Sequence, residues 1–215
     1  VELKFKYSNI AVFRLVEFKN KSYILDPTTI KGKSYFFGSL PKEVIAEMVE
    51  LSPSNDSFRI KSKTPIGAST ALVIMIQPLV GFSHTLMKDA FISWGINQQI
   101  LLKIVLFAFS VFLSYLMAVF YEKSAVGKFE SRVPKNSKRC RLVFEPKGKR
   151  IIDWLFFTLG INIICLAFFI GLDSGYESAI LVINGIISWW SFVLLRMPQI
   201  PDYYKTLTLT EIEEL

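Results

Sequence analysis

The chain has 215 residues, 52% of them hydrophobic, and a mean hydropathy of +0.40. Its 25 Lys and Arg against 18 Asp and Glu give a formal net charge of +7. Four long apolar runs are more than a soluble domain of this length usually carries. The positive charges cluster beside those runs, so membrane topology explains them better than nucleic-acid binding does.

Residues 1–64 read as a small N-terminal cytosolic α+β domain. The opening VELKFKYSNI has no apolar core of a cleavable signal peptide. Ile10–Phe18 and Ser22–Asp26, rich in β-branched and aromatic residues, predict a β-hairpin turning at Lys19-Asn20-Lys21. A short extended piece is expected around Tyr35–Phe37. Pro41–Leu51 reads as a helix, with Pro in its first turn, Ser52-Pro53 as a stop, and Val44, Ile45, Met48 and Leu51 at helical spacing. Phe58–Lys61 predicts a last short strand.

Residues 65–196 read as a transmembrane helical domain with spans at about 66–87, 100–121, 151–172 and 178–195. The run Ile151–Leu172 reaches roughly 33 Å at about 1.5 Å per residue, enough to cross a hydrocarbon core of about 30 Å. Only Asp173–Glu177 separates it from Ser178–Leu195, so the pair reads as a transmembrane hairpin. In lipid a helix gives every amide an internal partner. Gln77-Pro78 predicts a kink in the first span, and Lys103 is expected to snorkel from the second to water. Residues 88–99 are too polar to span, but Phe91, Ile92 and Trp94 suit the membrane interface. Residues 122–150 form a strongly basic loop and 197–215 a tail. The positive-inside rule places the N-terminus, that loop and the tail in the cytoplasm. The fold class is thus an α-helical polytopic membrane protein of about four transmembrane helices, multi-pass in a bacterial cell membrane, with the small α+β domain at its N-terminus.

Little in the sequence suggests catalysis. His84 is the sole histidine and has no Cys or carboxylate cluster around it, so it reads as an interfacial structural residue. Asp153, Asp173 and Glu177 stand at span ends, none deep in the bilayer. No Gly-rich phosphate loop or nucleophile–histidine arrangement occurs, so no catalytic residue, metal or cofactor is expected. Cys140 in the basic loop and Cys165 in mid-span lie at different levels, so no disulfide is expected.

Small and amide side chains line one face of three spans: Ser110, Ser114 and Ala118; Thr158, Asn162 and Cys165; Asn184, Ser188 and Ser191. Asn162 and Ser188 are equally far from the Asp173–Glu177 turn and should be level. Such residues let helices approach and hydrogen-bond. The stripes suit the inside of a four-helix bundle, a surface gripping a foreign transmembrane helix, or a permeation path. The candidate partner-binding residues are Phe91, Ile92, Trp94, Asn162, Asn184 and Ser188. The basic loop reads as an orientation signal that also attracts anionic lipid headgroups; with few aromatics it offers no platform for RNA.

Three stretches carry a resemblance: FRLVEFKNKSYILDP (Phe13–Pro27), FFGSLPKEV (Phe36–Val44) and GASTALVIMIQPL (Gly67–Leu79). In these, and in the order of its elements, the chain resembles the tandem five-transmembrane family of small Gram-positive membrane proteins, encoded in clustered copies in staphylococci and their relatives. The family name implies five spans where the hydropathy gives four; a fifth would put the basic loop outside. The resemblance implies immunity, that is, protection of the producing bacterium from a membrane-depolarising, pore-forming toxin secreted by a type VII system. The other expectation is a membrane-anchored regulator or scaffold acting through its cytosolic domain.

Overall fold

The computed structural model describes residues 3–10, 12–18, 21–31, 41–53, 55–60, 68–134, 136–150, 154–197, 200 and 204–214. Six strands are present: β1 (Lys4–Tyr7), β2 (Arg14–Phe18), β3 (Lys21–Lys31), β4 (Val44–Leu51), β5 (Arg139–Arg150) and β6 (Tyr204–Glu214). The four long helices are α1 (Ala68–Ser93), α2 (Ile100–Arg132), α3 (Trp154–Gly171) and α4 (Glu177–Arg196). The chain divides into two compact units. One comprises Val1–Ser62, Tyr121–Trp154 and Val193–Leu215, the other Lys63–Phe120 and Leu155–Phe192.

The first unit is built on a six-stranded antiparallel sheet whose spatial order is the chain order. The expected hairpin is β2–β3, with Val16 opposite Tyr23. The expected helix at 41–51 is instead strand β4. Its apolar residues fit both periods, but Val44, Ala46 and Met48 alternate onto one buried face while Val49 and Leu51 are buried on the other. Paired with β3 and β5 on either side, the segment is a central strand with both faces covered, a place that suits the β-branched Val44, Ile45 and Val49. Phe58–Ile60 forms a turn and not the expected strand. Tyr35–Phe37, Asn20 and most of FFGSLPKEV lie outside the described residues.

The basic segment is not a loop. Its first part continues α2 to Arg132 and its second is β5, in which the buried Cys140, Leu142 and Phe144 alternate with Arg139, Arg141 and Val143. The tail likewise becomes β6, whose Leu209 and Ile212 pack on the same core as Val16, Leu25, Met48 and Phe144. The register aligns this core across strands: Leu25 with Met48, Met48 with Cys140, Val44 with Phe144, Phe144 with Leu209.

Pro27 cannot donate to the ladder, and β3 slips register between Asp26 and Lys31. Asp26 Oδ1 accepts from Thr28 N at 2.9 Å, and Thr29 Oγ1 accepts the Glu47 N–H at 2.9 Å where the ladder is interrupted. At the end of α2, Phe129 stacks on Phe13 with ring centroids 4.9 Å apart. Arg132 donates to Asn9 Oδ1 at 2.9 Å and Ser57 O at 3.1 Å, and its carbonyl accepts from Asn55 Nδ2.

The second unit holds α1, α3 and most of α2 and α4. Among the described residues, α2 and α4 are long and apolar enough to cross a membrane, and Leu155–Gly171 forms a shorter apolar helix. α1 runs through Pro78 and extends to Ser93, into the stretch expected to be a polar loop. Gly95, at φ 64°, ends it by donating to Ile92 O at 3.1 Å.

Candidate functional site

The polar residues of the helical unit gather in two places. The first is the end formed by residues 94–99 and 172–177. Asn97 Nδ2 donates to Asp173 O at 2.8 Å, tying the two short connections together. The α3–α4 turn depends on Gly175, at φ 85°, where a Cβ would stand 2.7 Å from Lys88 Cγ and 3.2 Å from Ile92 Cδ1. Only glycine meets both the backbone angle and the close approach of α1.

Under that turn lies a buried ion pair. Lys103 is 1% exposed and Glu177 0%, with Nζ 3.2 Å from Oε1. Lys103 also donates to Leu172 O and, at 3.4 Å, to Ile170 O, carbonyls at the C-terminal end of α3. Glu177 opens α4, where the helix dipole favours a negative charge, as the end of α3 favours a positive one. Neither oxygen of Glu177 accepts a hydrogen bond among the described residues. Lys103 therefore does not snorkel to water as expected. It faces inward because carbonyls at the end of α3 and the Glu177 carboxylate replace its hydration.

His84 sits beside this pair. Its ring stacks on Tyr176 at 5.0 Å and 9°, and Nδ1 is 3.1 Å from Ser178 Oγ, which donates to Gly175 O. Lys88 Nζ is 5.7 Å from the Tyr176 ring centroid. Among the described residues no group of three His, Cys, Asp or Glu could hold a metal ion.

The second place is the middle of the helices. Asn162 Oδ1 accepts from Asn184 Nδ2 at 3.1 Å and from Ser188 Oγ at 3.2 Å, while its own amide donates to Thr158 O. Asn162 and Ser188, expected to be level, are joined with Asn184 in one cluster, and Asn184 and Ser188 are fully buried. Ser114 Oγ donates to Gly185 O at 2.9 Å and Ser110 Oγ to Leu181 O at 3.4 Å, holding α2 against α4. These hydroxyls and amides bond within the chain, as internal packing demands.

The aromatic anchors divide. Phe91 is 3% exposed, packed edge-on against Phe169 at 6.3 Å, and so is not presented to a partner. Its place in the helical continuation of α1 turns it inward. Ile92 and Trp94 are exposed, Trp94 at 73%. The ion pair escaped sequence reading because each member, taken alone, sits near a span end. The signal was jointly present: a lone cation one turn into α2 and a lone carboxylate opening α4.

No protein-family model matches the chain, and neither the characterised proteins nor the solved structures contain a significant match to it.

Two stability experiments follow from these contacts, both read by thermal unfolding in detergent. Lys103→Met or Glu177→Leu alone strands a buried charge and is expected to cost about 3–5 kcal/mol, whereas the double substitution should recover most of that loss. Losses that simply add would mean the two charges do not interact. Asn162→Leu removes a three-way cluster and should cost about 1–2 kcal/mol, against less than about 0.5 for Phe168→Leu, whose ring is exposed.

Proposed function

We propose that the chain is a multi-pass protein of the bacterial cell membrane with four transmembrane helices, its N-terminus and sheet cytoplasmic, working by binding and not by catalysis. The observation that carries this reading is the outward apolar surface of the helical unit. Only 17% of the most apolar stretch of α2 is buried. Phe109, Phe112, Leu113 and Phe120 on α2, and Ile163, Ile164 and Phe168 on α3, are exposed. In water a contiguous patch of that size drives aggregation; in lipid it is simply solvated.

Strand pairing supports the even count of spans. β4 pairs with β5 and β5 with β6, so all three lie on one side of any membrane. The chain between β4 and β5 contains α1 and α2, and that between β5 and β6 contains α3 and α4. If α2 crosses, a second crossing is needed before β5, and if α4 crosses, another is needed after β5. Two hairpins of spans meet that condition, and five spans do not. The Lys and Arg content of residues 122–150 then favours the cytoplasmic side for the sheet.

Within this class we propose immunity to a secreted membrane-depolarising toxin, supported by the resemblance to the tandem five-transmembrane proteins and by an outer surface with exposed aromatic residues. A toxin arriving from outside would meet Trp94, Ile92 and Tyr176 first. One observation favours the second reading, a regulator acting through the sheet. A hollow of about 380 Å³ lies in the sheet unit, lined by Phe18, Lys21, Tyr23, Cys140, Leu209 and Glu214.

Topology is tested with an impermeant thiol reagent on intact cells. Ser174→Cys should label from outside and Lys138→Cys only after permeabilisation, both positions being exposed. Cys140 gives little background: it is buried, and burial, then Glu214 and Glu50, push its thiol pKa up. Labelling of Lys138→Cys from outside would overturn the orientation.

Function is tested by toxin challenge at matched protein levels. Trp94→Ala with Ile92→Ala should abolish protection, and Thr210→Trp, placed to fill the sheet hollow, should leave it intact. The reverse pattern would put the regulator reading first. Removing residues 1–60 cannot serve as a test, because it would take four of the six strands out of the sheet.

A further inference from the structure

A groove runs along the helical unit between α2 and α4. Leu106, Phe109, Leu113 and Met117 form one wall, a single stripe over three turns, with Ile186 and Trp189 opposite and Met87 of α1 at one end. Its floor is Ser110, Ser114 and Gly185. The groove carries no charged residue, and its two hydroxyls are already donating to Leu181 O and Gly185 O. It therefore offers an occupant apolar surface and no free donor.

We infer that this groove holds one acyl chain of a membrane phospholipid as a resident ligand, an inference that rests on the membrane reading above. Three features of the groove fit a lipid tail. First, the groove is continuous with the outward apolar surface of α2, since Phe109, Leu113 and Met117 belong to both. On the membrane reading, the medium facing it is then hydrocarbon. Second, the groove is elongated: its lining on α2 runs from Leu106 to Met117, roughly 16 Å along the helix, and its volume is about 420 Å³, which suits a flexible chain lying along it. Third, a void left empty here would forfeit the dispersion contacts of every residue lining it, and the two hydroxyls of its floor, already donating to carbonyls of α4, are too few to hold water. The walls suit a flexible occupant, since Met87 and Met117 adapt to irregular shapes.

Trp189 lies in the groove and can report its occupant. In the full chain, Trp94, Trp154 and Trp190 are changed to Phe, leaving Trp189 as the only one of the four tryptophans. Fractionation of cells comes first. If the chain stays in the supernatant without detergent, the membrane reading fails and this inference fails with it. If the chain sediments with membranes, it is purified in detergent and titrated with phosphatidylglycerol brominated in its acyl chains, which quenches indole fluorescence on contact. The expected result is quenching that saturates at about one lipid per chain. Val182→Phe and Leu113→Phe, which fill the groove from either wall, should each raise the half-quenching concentration about tenfold or more. Ile163→Phe, exposed on α3, should not change it. Quenching that climbs with lipid content without a plateau, equally in all variants, would mean ordinary lipid solvation and overturn the inference. Dimers cross-linked through cysteines placed at Val182, with Trp189 unquenched, would assign the groove to a second copy and overturn it as well.

Discussion

The ladder β4–β5–β6 is the constraint on which the rest of this architecture depends. A backbone amide taken from water needs a partner, and β4 finds its second one in a strand that arrives only after α1 and α2. β5 in turn finds its second neighbour after α3 and α4. The sheet is a simple meander in space, yet two of its connections are helical hairpins. Until each hairpin is made, β4 and then β5 presents a bare edge with a buried-type sequence. Such long-range pairing is slow to form and exposed to mispairing.

The helical unit faces a different balance. On the proposed membrane reading, apolar packing between its helices gains little over contact with acyl chains, so polar links gain in relative importance. Several are present among the described residues, and three of them join different sets of elements. Lys103 reaches from α2 to the α3–α4 turn, Ser110 and Ser114 bind α2 to α4, and Asn162 binds α3 to α4. The ion pair is the most demanding, since neither charge is tolerable in place without the other. The hydroxyl and amide links are individually weak. Together they leave Phe91, Phe107 and Phe169 in one core while the larger aromatic surface of α2 turns outward.

The helices were legible in the sequence because long apolar runs admit few alternatives, and the level placement of Asn162 and Ser188 followed from counting along them. The β2–β3 hairpin was legible from its β-branched residues and turn. The other strands were not. VIAEMVEL satisfies both a helical and an alternating pattern, and only its two neighbours in the sheet decide between them. In RCRLVFEP the alternation was plain, but positive charge beside a span invites a topological explanation that stops the search for structure. Phe91 and Lys103 were misplaced for one reason: depth along a helix was read from the sequence, while the direction faced depends on neighbours supplied by α3 and α4. Of the candidate site, the interior cluster was therefore accessible to sequence reasoning and the ion pair was not.

The charges of β5 show how one set of residues can act at two stages. In the folded sheet Arg141 lies 3.1 Å from Glu213 of β6 and Arg139 lies 3.9 Å from Glu47 of β4, so acids from both neighbouring strands offset the basic strand. These are exposed pairs, each worth little to stability. Their partners, however, are far away in sequence, and the pairs exist only once the sheet has formed. On the proposed topology, orientation is decided earlier, by Lys and Arg flanking the spans, with carboxylates contributing little. The same arginines would then hold the segment on the cytoplasmic side during insertion and be neutralised afterwards. On that reading the exposed Lys123 and Lys128 on the extension of α2, and Lys138 just before β5, are placed for contact with anionic headgroups.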